Sequence, residues 1–397
     1  MANNLLFFKY MIYIHCMKLV ERHYKKSNDE LKAICCKSKD IYNKANYLIR
    51  QNYILNNEFI RYGDVDKLMQ KEECYKQLPS KVSQQTLRLL DQNWKSFFCA
   101  NKAFKENPRN FKSAPRPPKY LKKDGQYTTV YSNQAVSKKH ILSKTSIKIN
   151  TKKKFTEVRI IPKVFGHIIE VVYDKEEKKP KNSNNYCAID LGVNNLAAIT
   201  SNLGKPILVN GRIAKTTNQH YNKKMSKITS EKKRQQLIKK RYFRFENLFH
   251  HTSKFIIDYC NYYDIGKIII GYNEGWKQNI NIGKKNNQSF CYIPFLKLIE
   301  KLKYKCELEG IELVCTEESY TSKASALDND PLDGSQLSGR RVKRGLYKCK
   351  DGFLLNADIN GSLNIARKVI HESVVDRSLV ARPFKVNALK NFDSYLL

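Results

Sequence analysis

An apolar run that ends on an acid constrains this chain more than any other feature. Residues 186–191 read YCAIDL, the pattern of a strand buried on both faces. Asp190 stands at its far end and Gly192 follows almost at once. A carboxylate there is poorly placed for a core and well placed to hold a cation. Two more short apolar runs, 196–200 and 206–209, follow at hairpin spacing. Further on, 267–270 and 311–315 read as buried strands, and 294–308 as a helix between them. A long basic helix is expected over about 222–263, and a final helix from about 358.

Three consecutive strands, then alternating helix and strand, fit an RNase H-like fold. The last helix opens with NADINGSLNIARKVI, where Ile359, Leu363, Ala366 and Ile370 form a buried stripe and Asp358 lies at the N-terminal edge. Alone, Asp358 reads as a helix cap. Paired with Asp190 in a basic chain, it reads as an oxygen ligand for magnesium.

The first half has a different texture. Residues 17–24 alternate as a strand, and 29–104 look helical, with a cap offered by Asn28-Asp29. A second helix there, over about 83–103, puts Leu87, Leu90, Trp94, Phe97 and Phe98 on one face. Segment 107–120 is proline-rich and basic, a connector suited to tracking phosphates. Strands are expected at 127–131, 141–149, 157–161 and 167–172, and 175–185 has linker composition. The expected organisation is α+β. A small β-barrel (17–30 and 121–180) carries a helical insertion (31–120), followed by an RNase H-like domain (186–372) and a tail (373–397). Met17 is a candidate natural start, and the apolar run 5–16 is too short to span a bilayer.

Lysine and arginine number 73 against 37 acids, a formal charge of +36. Such an excess opposes compaction unless a polyanion neutralises it, so nucleic acid is the expected partner and a membrane is not. The charge is spread along the chain, with a dense stretch over 223–244, which suits a long channel. The 11 cysteines form no CxxC pair and read as reduced core residues of a cytosolic protein. His250 and His251 read as packing residues.

From residue 17 to about 370 the chain resembles the TnpB (OrfB) proteins of insertion sequences, relatives of the type V CRISPR effectors. The resemblance is carried by IDLGVNN, IIIGYNEGWKQ, YTSK at 320–323 and ADINGSLNIARK, with NFKSAPRPPKY and YSNQAVSKK upstream. It implies a RuvC-like, RNase H-fold endonuclease directed by a guide RNA transcribed from the transposon end. The target would be double-stranded DNA beside a short motif, cut with two Mg²⁺ ions. It also implies a prokaryotic, cytoplasmic, nucleoid-associated protein.

Two departures matter. The family's usual catalytic glutamate would fall at 271, which is glycine here. Some branches, and the Fanzor relatives, carry a relocated glutamate three residues before the threonine of the TS pair, which matches Glu318. Glu317 is the runner-up, since adjacent strand residues face opposite ways. The resemblance thus implies Asp190, Glu318 and Asp358 as catalytic metal ligands. Relatives also carry two CxxC pairs after the TS motif. Here Ala324 and Ala326 stand near those positions and Cys349 is isolated, so no zinc is expected and 327–345 reads as a loop. Candidate nucleic-acid contacts are Arg116, Lys119, Trp276 and Lys277, and Arg340, Arg341, Lys343 and Arg344 in the GRRVKRG run; core packing is the favoured role for Trp276, and a solvated loop competes for the GRRVKRG run. Two other readings stay open: a nuclease-dead RNA-guided DNA binder, and a guide-independent RNase H-fold transposase or resolvase.

Overall fold

The computed structural model describes residues 16–273, 292–370, 377–380, 382–390 and 392–395. It divides into two compact units, one over Cys16–Lys175 and one whose described part begins at Glu176. Trp276, Lys277 and Cys291 lie outside the described residues.

In the first unit β1 (Cys16–Lys25) leads into α1 (Asp29–Asn56). Asn28 caps α1 by accepting from the Leu31 N–H at 2.8 Å, as its residue type favours. Leu31, Ile34, Ile41, Tyr42, Ala45 and Ile49 recur at helical spacing and are buried. Two short helices follow, α2 (Tyr62–Met69) and α3 (Glu73–Lys76), then α4 (Ser80–Glu106). Trp94 of α4 is fully buried and donates its indole N–H to Asn46 at 3.0 Å. The proline-rich connector is strapped along α1. Asn46 and Arg50 donate to the Pro118 carbonyl at 3.0 Å each, and Asn43 bonds both polar groups of Leu121.

Strands β2 (Thr129–Ser132), β3 (Glu157–Lys163) and β4 (Gly166–Glu176) join β1 in a sheet ordered β1-β4-β3-β2. With β1 and β2 as its edges, this is an open sheet where a barrel was expected. Residues 141–149 contribute isolated bridges, Val136 with Leu142 and Ile141 with Lys148, in place of the expected strand. Helices and sheet share one core, which includes Ile41, Trp94, Val158 and Ile169, so the helical segment is built into this unit rather than standing apart from it.

The second unit holds a six-stranded sheet. Its strands are β5 (Tyr186–Asp190), β6 (Asn195–Ser201), β7 (Ile207–Asn210), β8 (Lys267–Gly271), β9 (Glu312–Thr316) and, late in the chain, β13 (Phe384–Val386). The order is β13-β7-β6-β5-β8-β9. β5, β6 and β7 are antiparallel neighbours, whereas β8 and β9 run parallel to β5. The expected long helix is two, α5 (Arg212–Met225) and α6 (Glu231–Tyr262). The break over 226–230 contains Ser226, whose hydroxyl donates to the Lys223 carbonyl at 3.1 Å, and the β-branched pair Ile228-Thr229, all poor helix formers. Helix α7 (Phe295–Glu309) precedes β9. α6 and α7 cover one face, where Cys187 and Ile189 of β5 join Phe249, Ile256 and Leu298.

The expected loop over 327–345 is in part a sheet: β10 (Arg340–Lys343), β11 (Leu346–Lys348) and β12 (Leu354–Asn356) pair antiparallel. Helix α8 (Ala357–Arg367) follows directly, then the short α9 (Arg377–Val380). α8 lies on the second face of the large sheet, where Ile365 and Ala366 meet Ala188 and Ile269. The expected tail is no appendage: β13 pairs parallel with β7, and Phe392 packs against Phe255. Among the described residues no helix is long and apolar enough to cross a membrane.

Candidate active site

Strand periodicity assigns the faces. Cys187 and Ile189 belong to the α6–α7 core and Ala188 to the α8 side, so Asp190 shares the α8 face. By the same count Gly271, at the end of β8, shares the face of Ile269. Gly271 pairs with Thr316 at the end of β9, and Glu318 lies two residues beyond. Asp190, Gly271 and Glu318 therefore cluster at the carboxyl ends of three parallel strands, where open sheets place their sites.

Two glycines let the acids approach. A Cβ on Gly361 of α8 would fall 2.6 Å from Asp190 Oδ2. A Cβ on Gly271 would fall 2.6 Å from Glu318 Oε1 and 2.5 Å from Ile365 Cδ1. The Glu318 side chain thus occupies the space that a side chain at 271 would need. The Glu318 N–H donates to the Asn273 side chain at 2.8 Å. Glu317 is exposed and points elsewhere, its Oε2 accepting from Lys368 at 3.0 Å.

Asp358 is not the cap of its helix. Asn356 is, accepting from the N–H groups of Asp358 and Ile359 at 2.9 and 3.3 Å. The Asp358 carboxylate is left to accept from the Asn195 amide at 2.7 Å and to face the Arg341 guanidinium at 3.5 Å. Sequence reasoning missed Asn195 as a positioning group, although it is the last residue of the IDLGVNN motif. It also missed a buried polar stripe on α8. Asn360 donates to the Ala324 carbonyl at 2.8 Å, Ser362 to the Ala188 carbonyl at 2.8 Å, and Asn364 to the Thr321 carbonyl at 2.9 Å. The signal was three polar residues interleaved with an apolar stripe.

The electrostatics follow from burial. Desolvation pushes the Asp190 carboxyl well above the usual carboxylate range, the charges of Glu318 and Asp358 push it further, and Arg341 opposes them. Burial pushes Glu318 up to about 7, with Lys368 opposing and Glu317 adding. Glu317 is held low, first by its hydrogen bond from Lys368. Glu318 Oε1 is buried with no hydrogen-bond partner among the described residues, a deficit that a cation would satisfy. Among the described residues no three His, Cys, Asp or Glu side chains sit together at ligating distance; Asp358 is instead engaged by Arg341 and Asn195.

Of the expected nucleic-acid contacts, Arg341 reaches Asp358, and Arg340, Lys343 and Arg344 are exposed on the same hairpin. Arg116 and Lys119 are exposed in the first unit. His250 belongs to an ion-pair cluster, its Nε2 lying 3.0 Å from Lys301 Nζ.

Two family models match the second half of the chain. OrfB_IS605, described as "Probable transposase", matches residues 170–277. The Cas12f1-like TNB domain matches 295–365. The TnpB-like protein ORF457 of Acidianus two-tailed virus is 23% identical, covering 86% of this chain and 83% of that protein. In fold, the chain is similar to the protein of a Cas12f1–sgRNA–target DNA complex, with TM-score 0.53 and 14% identity over 84% of this chain and 81% of that one. It is also similar to the mini-RNA-guided endonuclease Cas_phi3, with TM-score 0.50 and 10% identity over 93% of each chain. The two family models and the viral relative make the chain similar to TnpB-like proteins, and the solved structures share its fold.

Proposed function

We propose that the protein is an RNA-guided DNA endonuclease whose site is formed by Asp190, Glu318 and Asp358. One observation supports the reading above others: Asp190 lies near enough to Glu318 and Asp358 for their charges to raise its carboxyl, and Glu318 Oε1 is buried with no hydrogen-bond partner among the described residues. A structural role would pair that oxygen. Hard oxygen donors of this kind suit Mg²⁺. When bound, two such ions supply water activation and charge stabilisation for phosphodiester hydrolysis.

The chain's own groups have separable tasks. Asn195 fixes the Asp358 carboxylate through one oxygen, and Asn273 fixes the Glu318 backbone. Gly361 and Gly271 leave room for the two carboxylates. Arg341, which faces Asp358 at 3.5 Å, would also be placed to meet a phosphate at the site. The guide would read sequence by pairing, with the protein holding helix shape and an adjacent motif.

The test is cleavage of a guided target with Mg²⁺. Asp190→Ala, Glu318→Ala and Asp358→Ala should each lower the rate at least a hundredfold with guided binding retained, while Glu317→Ala keeps most activity. A wild type that binds the guided target but never cuts it would make a nuclease-dead binder the better reading. Cutting without guide RNA would favour a guide-independent transposase or resolvase.

A further inference from the structure

Two residues past Glu318, the backbone of Tyr320 has a φ of 63°, in the left-handed region that bulky side chains avoid. Tyr320 is nevertheless 43% exposed, so burial of the ring does not account for it. The turn is fixed on every side. Thr321 donates its N–H and hydroxyl to the Glu318 carbonyl at 3.2 and 2.8 Å. The N–H groups of Lys323 and Ala324 donate to the Tyr320 carbonyl at 3.0 Å each. Asn364 of α8 holds the Thr321 carbonyl at 2.9 Å. Gly334, itself at φ 81°, lies so close that a Cβ there would fall 2.5 Å from Tyr320 Cε1. Lys323 Nζ stands 6.0 Å from the ring centroid.

An aromatic ring braced in a disfavoured conformation beside a functional group points from the outlier to a use. We propose that Tyr320 is a stacking platform for an unpaired base of the single strand presented to the three acids, with Lys323 beside it for a backbone phosphate. Every base has a π-face, so such a platform holds a strand in place without selecting its sequence. The proposal rests on the nuclease reading for the identity of the strand.

The test uses the full-length protein and a short single-stranded DNA carrying 2-aminopurine, whose fluorescence falls when it stacks on an aromatic ring. Tyr320→Phe should keep the quenching. Tyr320→Leu should lose the Tyr320-dependent part and weaken binding about fivefold, the low end for one base–aromatic stack. Tyr320→Gly removes the left-handed penalty, so it should melt no lower than wild type while losing the quenching as Leu does. Equal quenching in wild type and Tyr320→Leu overturns the platform, as does a Tyr320→Gly variant that melts lower yet keeps the quenching. Guided cleavage on the same preparations separates the two readings. Tyr320-dependent quenching without any guided cutting sinks the nuclease reading alone, whereas guided cutting with Tyr320-independent quenching sinks the platform alone.

Discussion

Glu317 and Glu318 are adjacent in the chain and opposite in surroundings, one exposed against Lys368 and one half-buried over Gly271. Burial raises Glu318 from the ordinary 4.5 to about 7, so the fold favours its protonated form. Its contribution to stability is therefore full below pH 4.5 and lost as pH rises through about 7. Asp190, also raised, acts in the same sense. In chelator, the protein should melt higher at acid than at neutral pH, with Glu318 responsible for at most about 3 kcal/mol. Glu318→Gln should flatten that slope, and an unchanged slope would show that the carboxylate is not held as described. Gly361→Ala belongs at this scale too, since its Cβ would meet Asp190 Oδ2 at 2.6 Å. Crowding of this kind costs about 1–3 kcal/mol, offset by roughly 1 kcal/mol of helix propensity. Cleavage should fall at least tenfold while the melting temperature moves by only a few degrees; a fully active variant would show that Asp190 can yield. Asp190 and Asp358 stand out in the sequence as candidates because acids at the edges of apolar runs are conspicuous. Asn195 and Gly361 do not, because their roles exist only once β6 and α8 meet β5.

The segment over 321–356, where the resemblance implies cysteine pairs, is held by carboxylates. Ser325 donates its hydroxyl to Asp328 at 2.6 Å and lies 3.6 Å from Cys349 Sγ, and the Lys350 N–H donates to Asp328 at 2.8 Å. Asp330 is buried and accepts from the Ser325 and Ser338 N–H groups at 2.7 and 3.0 Å. Arg367 of α8 donates to the Asp330 carbonyl at 2.9 Å. Carboxylates thus bond the two ends of the segment to each other. Asp330→Ala should destabilise the protein by about 2 kcal/mol, since it strands the buried Ser325 N–H and frees Ser338 from its carboxylate. Chelator should leave wild-type melting unchanged as far as zinc is concerned, and metal analysis should find less than about one zinc per chain. Stoichiometric zinc would show that another ligand set exists. The missing CxxC pairs were visible in the sequence, but the strands β10–β12 were not. Their strands are three or four residues long and mostly exposed, too short for a periodic signal. The split between α5 and α6 was hidden for the reverse reason: the basic pattern runs through the break.

At the scale of the molecule, the +36 charge remains the largest single physical fact, and neither compact unit neutralises it internally. Lys232, Lys233, Arg234 and Lys240 are exposed on α6, and Arg116 and Lys119 are exposed on the connector of the other unit. Surface charge of this density is unfavourable for an isolated protein and favourable for one that carries RNA. The protein should therefore purify with a discrete RNA species rather than bare. Once loaded, its affinity for guided DNA should fall about a thousandfold between 50 and 200 mM salt, as expected for roughly six neutralised phosphates. Reversing Lys232, Lys233, Arg234 and Lys240 to glutamate should reduce RNA recovery and lower the salt slope. Melting should change little, since exposed charges on a helix contribute little to stability. Recovery of only heterogeneous RNA, with a salt slope untouched by the four reversals, would mean that α6 does not hold nucleic acid.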